Sequence, residues 1–299
     1  MQLKLKKTYS LIKAAFKEWW VKDPLKEGAA IAFYAIFSML GLIIVIITIT
    51  GYFFGADDVN NRLASQISSI MGADTAKQIQ NMVKIASESN NSIRATIIGV
   101  ITILVGATGV YVQLQKSLNT IWGVKAGKSK AGVWSLIRVR IFSFGLLLAI
   151  TFILMVSFIV TTMLIAMGDW MSSHFSHFLL IIIQVINFIA SRFIIAMLFA
   201  LMFKYLPNVK IKWKHVWLGS IVTTLLFLLG MYGMSLHFGK SEPGSGYGAA
   251  GSFILILLWV VYSSLIVFYG AELTHVYAVR QEGLIPPDNY AVKQQRHKV

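Results

Sequence analysis

One charge stands inside a long apolar run. Residues 178–203 hold no Asp, Glu, Lys or Arg except Arg192. On insertion scales a charge at the bilayer centre costs about 2.5–3.5 kcal/mol, so such a residue is expected to face a bundle interior or a wet cavity. At helical spacing Gln184, Asn187 and Ser191 fall within about 60° of one another, with Arg192 beside them. That pattern is a polar stripe down an otherwise apolar helix, and its chemistry is recognition of an anion. A guanidinium offers a planar fork of donors that suits phosphate or carboxylate. The alternative is an arginine snorkelling to the headgroups, but 11 residues separate it from Lys204, about 16 Å of helix. Glu272 is the second candidate, near the end of the last apolar run. It can pair with Arg192, with Lys204, or with His275 one turn on. Burial beside an arginine would keep it ionised, whereas burial alone would favour the neutral form.

Other chemistries find little support. A metal-dependent nuclease needs carboxylates converging on ions a few Å apart. The acids expected on the cytoplasmic side, Glu18, Asp23, Glu27, Glu272, Glu282 and Asp288, show no ligand spacing. His174 and His177 stand three apart near Asp169, which reads as an interfacial loop rather than a metal site. No serine sits in a nucleophile elbow and no glycine loop resembles a P-loop. With no cysteine in the chain, thiolate metal sites and disulfides are excluded. The expectation is therefore no enzyme, no metal and no cofactor.

The elements that position these residues follow from composition. The 299 residues are 57% hydrophobic and only 13% charged, and mean hydropathy is +0.70. A soluble domain would carry about a quarter charged residues. The expected fold is an all-α polytopic membrane protein of six transmembrane helices, both termini cytoplasmic, with amphipathic interfacial helices. No removable signal peptide is read at the basic start.

Residues 1–27 read as an N-terminal amphipathic interfacial helix: Ile12, Ala15, Phe16, Trp19 and Trp20 share a face, with lysines mostly elsewhere. Asp23-Pro24 reads as a helix start, Asp as N-cap and Pro at the first helical position. Residues 28–276 then form the six-helix domain, with spans near 28–56, 93–124, 141–167, 178–203, 216–236 and 249–274. The 57–92 loop is expected to be extracytoplasmic, with two short amphipathic helices. Residues 277–299 read as a polar cytoplasmic tail, and 209–216 (VKIKWKHV) as an extended strip with lysines toward water and phosphate. The central helix is the second span. Between Arg94 and Lys116 lie 21 uncharged residues, about the length that crosses a bilayer. Ala95, Gly99, Thr102, Gly106, Gly109 and Gln113 fall at steps of 4, 3, 4, 3 and 4, a small-residue face on which another backbone can pack closely. Ile97, Ile98, Ile101, Leu104 and Val105 lie on the other side.

With six spans, 21 of the 27 Lys and Arg fall on the side of the termini, the positive-inside signature. This asymmetry accounts for most of the net charge of +15 as basic loops facing anionic lipid, so no nucleic-acid partner is expected. Membrane lipids, anionic ones above all, are the expected partners, and a homo-oligomer is compatible with the pattern.

The chain resembles the YihY/BrkB family of bacterial inner-membrane proteins. The resemblance spans roughly residues 17–274 and rests on AAIAFYAIFS at 29–38, LQKSLNTIWGV at 114–124, FKYLPNVKIKWKHVWLGS at 203–220 and YGAAGSFILILLWVVYSSLIVFYGAEL at 247–273. Asn119, Trp122, Pro207, Asn208, Gly219, Trp259 and Gly270 are its motif residues here. Where the family's first motif often continues into proline, Gly41 stands. The resemblance implies a six-helix protein of the cytoplasmic membrane, linked to virulence and to envelope lipid export beside AsmA-like periplasmic bridge proteins. An older ribonuclease label tied to tRNA processing finds no support in the residues above. Two functions follow as expectations: a transporter or export gate for lipid or another anionic amphiphile, or a non-transporting scaffold for envelope machinery.

Overall fold

The computed structural model describes residues 2–54, 92–126, 177–240, 249–288 and 291–293. The expected third span and the extracytoplasmic helices of 57–91 lie outside the described residues, as do the side chains of Gln184 and Asn187. The described elements are α1 (Gln2–Val21), α2 (Pro24–Phe54), α3 (Ser92–Ile121), β1 (Val124–Ala126), α4 (His177–Tyr205), α5 (Trp213–Lys240), α6 (Ala249–Glu282) and β2 (Ala291–Lys293). Among the described residues four stretches are long and apolar enough to cross a membrane: Ile97–Ile121, Phe188–Tyr205, Trp213–Gly233 and Ile256–Glu282. Among the described residues the fold is all-helical apart from one two-stranded antiparallel ribbon, β1 with β2.

Local chemistry sets the helix ends. Asp23 separates α1 from α2 and its φ is 49°; its short side chain makes a left-handed conformation accessible. Its carbonyl accepts the Lys26 and Glu27 amides, which begins α2. α3 closes on Gly123 at φ 63° and α6 on Gly283 at φ 74°, the conformation glycine supplies after a helix C-terminus. α4 ends before Leu206-Pro207, because proline cannot continue the ladder. The basic strip is non-helical only over residues 209–212. Trp213 already opens α5, so the period-two pattern ends four residues early and is taken over by helical hydrogen bonding.

The chain divides into two compact units. One is built from Met1–Glu18, Leu118–Leu226 and Tyr269–Val299; the other from Trp19–Ser117 and Phe227–Phe268. In the second unit the small-residue face of α3 lies against α2. A Cβ on Gly106 would stand 2.5 Å from the Ser38 nitrogen, one on Gly109 2.7 Å from Tyr34 ring carbons, and one on Gly41 2.8 Å from the Gly99 oxygen. Such approach gains dispersion contact in a solvent that offers helices no hydrophobic reason to associate. The opposite face is apolar and open, with Ile98 60% and Val105 63% exposed, as suits lipid. Trp259 lies 5.4 Å from Phe227 and stacks on Tyr262 at 5.8 Å, and Gly230 leaves the room that the Tyr262 ring fills.

In the first unit Leu118, Ile121, Phe203, Ile211, Val216 and Leu273 are buried. Four of its helix hydroxyls bond within their own helix: Ser220 to Val216, Thr223 to Gly219, Thr224 to Ser220 and Thr274 to Gly270. Such back-bonding satisfies a polar group where no water is available. α5 and α6 touch backbone to backbone at Gly219 and Gly270. A Cβ on Gly219 would strike Thr274 Oγ1 and the Gly270 oxygen, and one on Gly270 would strike Thr223 Oγ1.

The described part of the tail after residue 277 is bonded to the rest of its unit. α6 continues to Glu282, and the chain then returns along the α4–α5 loop. The Lys210 amide donates to the Pro286 carbonyl at 3.2 Å and the Asp288 amide to the Asn208 carbonyl at 2.9 Å, and Val209 bridges Pro287. β2 then pairs with β1, Val124 opposite Lys293 and Ala126 opposite Ala291.

Candidate functional site

Arg192 lies on α4 with Phe188 one turn before it. Its guanidinium donates to the Phe188 carbonyl at 3.2 Å and stands over the Phe188 ring, 3.6 Å from the centroid, a cation–π contact. The surrounding face is apolar: Ile186, Phe188, Ile189 and Phe193 are all exposed. The side chain thus folds back along its own helix, away from Lys204. Lys204 Nζ donates instead to the Ile211 carbonyl, which ties the α4 terminus to the loop that follows. Ser191 beside it is partly buried.

Glu272 is fully buried and is not joined to Arg192. Its Oε1 lies 3.0 Å from His275 Nδ1, one turn on, and the His275 ring meets Trp122 edge to face at 5.1 Å. Asn119 Oδ1 accepts the Asn208 amide at 2.8 Å, which places the α3 terminus on the turn after Pro207. Asn119, Trp122, Asn208, Gly219 and Gly270 therefore belong to one unit, where they join α3, the α4–α5 loop and α6. Their individual chemistry was not legible in the sequence. An asparagine bonding a backbone amide 89 residues away leaves no local signal.

One residue's role escaped sequence reasoning. Glu27 Oε2 accepts Gln113 Nε2 and Ser117 Oγ, each at 2.5 Å, and Ser117 is 4% exposed. This clamp joins α2 to α3 just beyond the glycine face. Gly28, next along α2, packs on Ser264 and Val261 of α6. The signal that could have found Glu27 is its place: the last charge before 27 uncharged helical residues, 28–54.

A second charged group forms around Glu282. Lys212 Nζ is 3.0 Å from its Oε2, and Lys214 Nζ and His215 Nε2 are 2.5 and 3.1 Å from its Oε1. His215 is fully buried and meets the Tyr277 ring edge to face. Among the described residues no group of three or more His, Asp or Glu is placed to hold a metal ion; His174 lies outside them.

Comparison with known proteins shows the family. The family model described as "Virulence factor BrkB" matches residues 15–295. A UPF0761 membrane protein of Pseudoalteromonas atlantica is 26% identical over 256 residues, 83% of this chain and 79% of that protein. Another, of Saccharophagus degradans, is 26% identical over 89% of this chain but only 59% of its own length. A third, of Aggregatibacter aphrophilus, is 26% identical over 89% of this chain and 93% of its own. No solved structure matches. Because the match runs from the end of α1 to the returning tail, the chain belongs to the BrkB family and is a multi-pass integral membrane protein.

Proposed function

We propose that this protein is a transporter or export gate for a lipid or another anionic amphiphile, built on six spans with both termini cytoplasmic and residing in a bacterial cytoplasmic membrane. The observation that carries the reading is Arg192: a guanidinium on an apolar, exposed stretch of α4, bonded among the described residues to its own helix through Phe188. A cation in that setting draws an anionic headgroup out of water, and the Phe188 ring beside it suits the apolar part of the same molecule. Retaining the arginine has an insertion cost of about 2.5–3.5 kcal/mol, which a purely structural helix has no reason to bear. No nucleic acid is needed to account for the basic loops, and the reading requires no enzymatic step. An AsmA-like bridge would receive the exported molecule.

The second reading is a non-transporting scaffold. It draws on the first unit, where Asn119, Asn208, Trp122 and His275 lock three segments together and present a ribbon and basic residues. The test is movement of fluorescent phosphatidylglycerol across proteoliposome membranes containing the full chain. Transport predicts protein-dependent movement that exceeds movement of phosphatidylcholine. Protein-free rates for both lipids, with and without a periplasmic bridge protein supplied, favour the scaffold.

A further inference from the structure

We infer that Lys212, Lys214, His215 and the N-terminus of α5 form a phosphate-binding site, and that Glu282 occupies it as an internal stand-in for the phosphate. The inference is independent of the transport reading, since it rests on other residues and a binding measurement.

Glu282 is the last residue of α6, an end where the helix dipole disfavours a negative charge. It is held there by three groups from the start of α5. Lys212 Nζ lies 3.0 Å from Oε2 and 3.1 Å from Oε1, Lys214 Nζ 2.5 Å from Oε1, and His215 Nε2 3.1 Å from Oε1. A carboxylate therefore sits beside a helix N-terminus, an end where the dipole favours an anion. The α5 end does not rest on the dipole alone. His215 is fully buried, and neither of its ring nitrogens makes a hydrogen bond. Its Nε2 lies 3.1 Å from Oε1 without hydrogen-bond geometry, so a desolvated ring nitrogen at the site is left unused by the carboxylate. A tetrahedral anion presents more oxygens in more directions than a carboxylate does, and can engage that nitrogen and both lysines together.

Accessibility fits the same reading. Lys212 and Lys214 are 65% and 58% exposed, so a ligand reaches them without unfolding the unit. Tyr205 and Trp213 meet edge to face beside them at 6.1 Å, the amphipathic aromatic pairing found at headgroup depth. Gly283 follows Glu282 at φ 74° and lets the end of α6 yield when the carboxylate is displaced.

The shared ligand chemistry is a phosphate group, from a lipid headgroup or from solution. The full chain is purified as wild type, E282Q and K212Q/K214Q, each checked for an unchanged circular dichroism spectrum. One arm counts phosphatidylglycerol retained by native mass spectrometry after delipidation. The other titrates inorganic phosphate calorimetrically. Removing the competing carboxylate should tighten binding by roughly threefold to tenfold, the worth of one or two exposed ion pairs, and the double variant should lose it. Retention of phosphatidylglycerol that inorganic phosphate does not displace assigns the site to lipid. Calorimetric binding of phosphate strengthened in E282Q, without lipid retention, assigns it to a soluble ligand. Folded variants that all bind equally in both arms overturn the inference. So does a gain in E282Q that survives in E282Q/K212Q/K214Q.

Discussion

Gly106→Ala tests the packing of α3 on α2 with a single methyl group. In an unhindered helix this change stabilises by about 1 kcal/mol, because alanine loses less backbone freedom. At Gly106 the new Cβ would stand 2.5 Å from the Ser38 nitrogen and 2.8 Å from its Cα and Cβ. Ordinary contact between such atoms is about 3.5–4.0 Å, so the helices must part by about 1 Å. Both atoms struck first are backbone, and no rotamer change relieves them. Overpacking of this kind costs about 1–3 kcal/mol, and parting the helices also loosens the Glu27–Gln113 bond that reads across the same interface. After the propensity gain, the net expectation is destabilisation of about 1–2 kcal/mol, a fall in Tm of about 3–6 °C in detergent. Gly233→Ala is the control, since nothing among the described residues lies within 4 Å of its Cβ position; its Tm should stay or rise. Equal Tm values for the two variants would refute the close approach of α2 and α3.

Asn119→Ala should free the Asn208 amide and cost about 1 kcal/mol; hydrogen exchange at Asn208 should quicken while exchange in α2 is unchanged. Glu27→Ala and Gln113→Leu, combined in a double-mutant cycle on thermal stability, should show a coupling of about 1–2 kcal/mol through their hydrogen bond. Additive effects would mean that the contact contributes nothing. For the proposed topology, a single cysteine at Ser65 should react with an impermeant maleimide from outside the cell only; the chain has no other cysteine to confuse the result.

Spacing in one helix revealed more than spacing between helices. The heptad steps through Gly99, Gly106 and Gly109 specify a face, because small residues matter only where something approaches. They do not say that α2, through Tyr34, Ser38 and Gly41, is what approaches. Glu272 illustrates the same limit: three partners were open to it by position, and burial beside His275 depends on how α6 is turned. The returning tail left no trace, since its bonds join backbone at Asn208 and Lys210 to backbone at Pro286 and Asp288. Backbone pairing has no side-chain signature. The period-two strip misled at its end, because alternation in Lys212, Trp213 and Lys214 fits an extended chain as well as the exposed first turn of α5.

The central claim is that the Arg192 charge recruits an anionic headgroup, and it is tested most directly by comparing lipid movement for Arg192→Gln, Arg192→Lys and wild type in the same proteoliposomes. The account predicts that the Gln variant is folded and near the protein-free rate. The Lys variant should keep part of the wild-type rate, because it preserves the charge but not the planar fork. A wild-type rate from Arg192→Gln would contradict it.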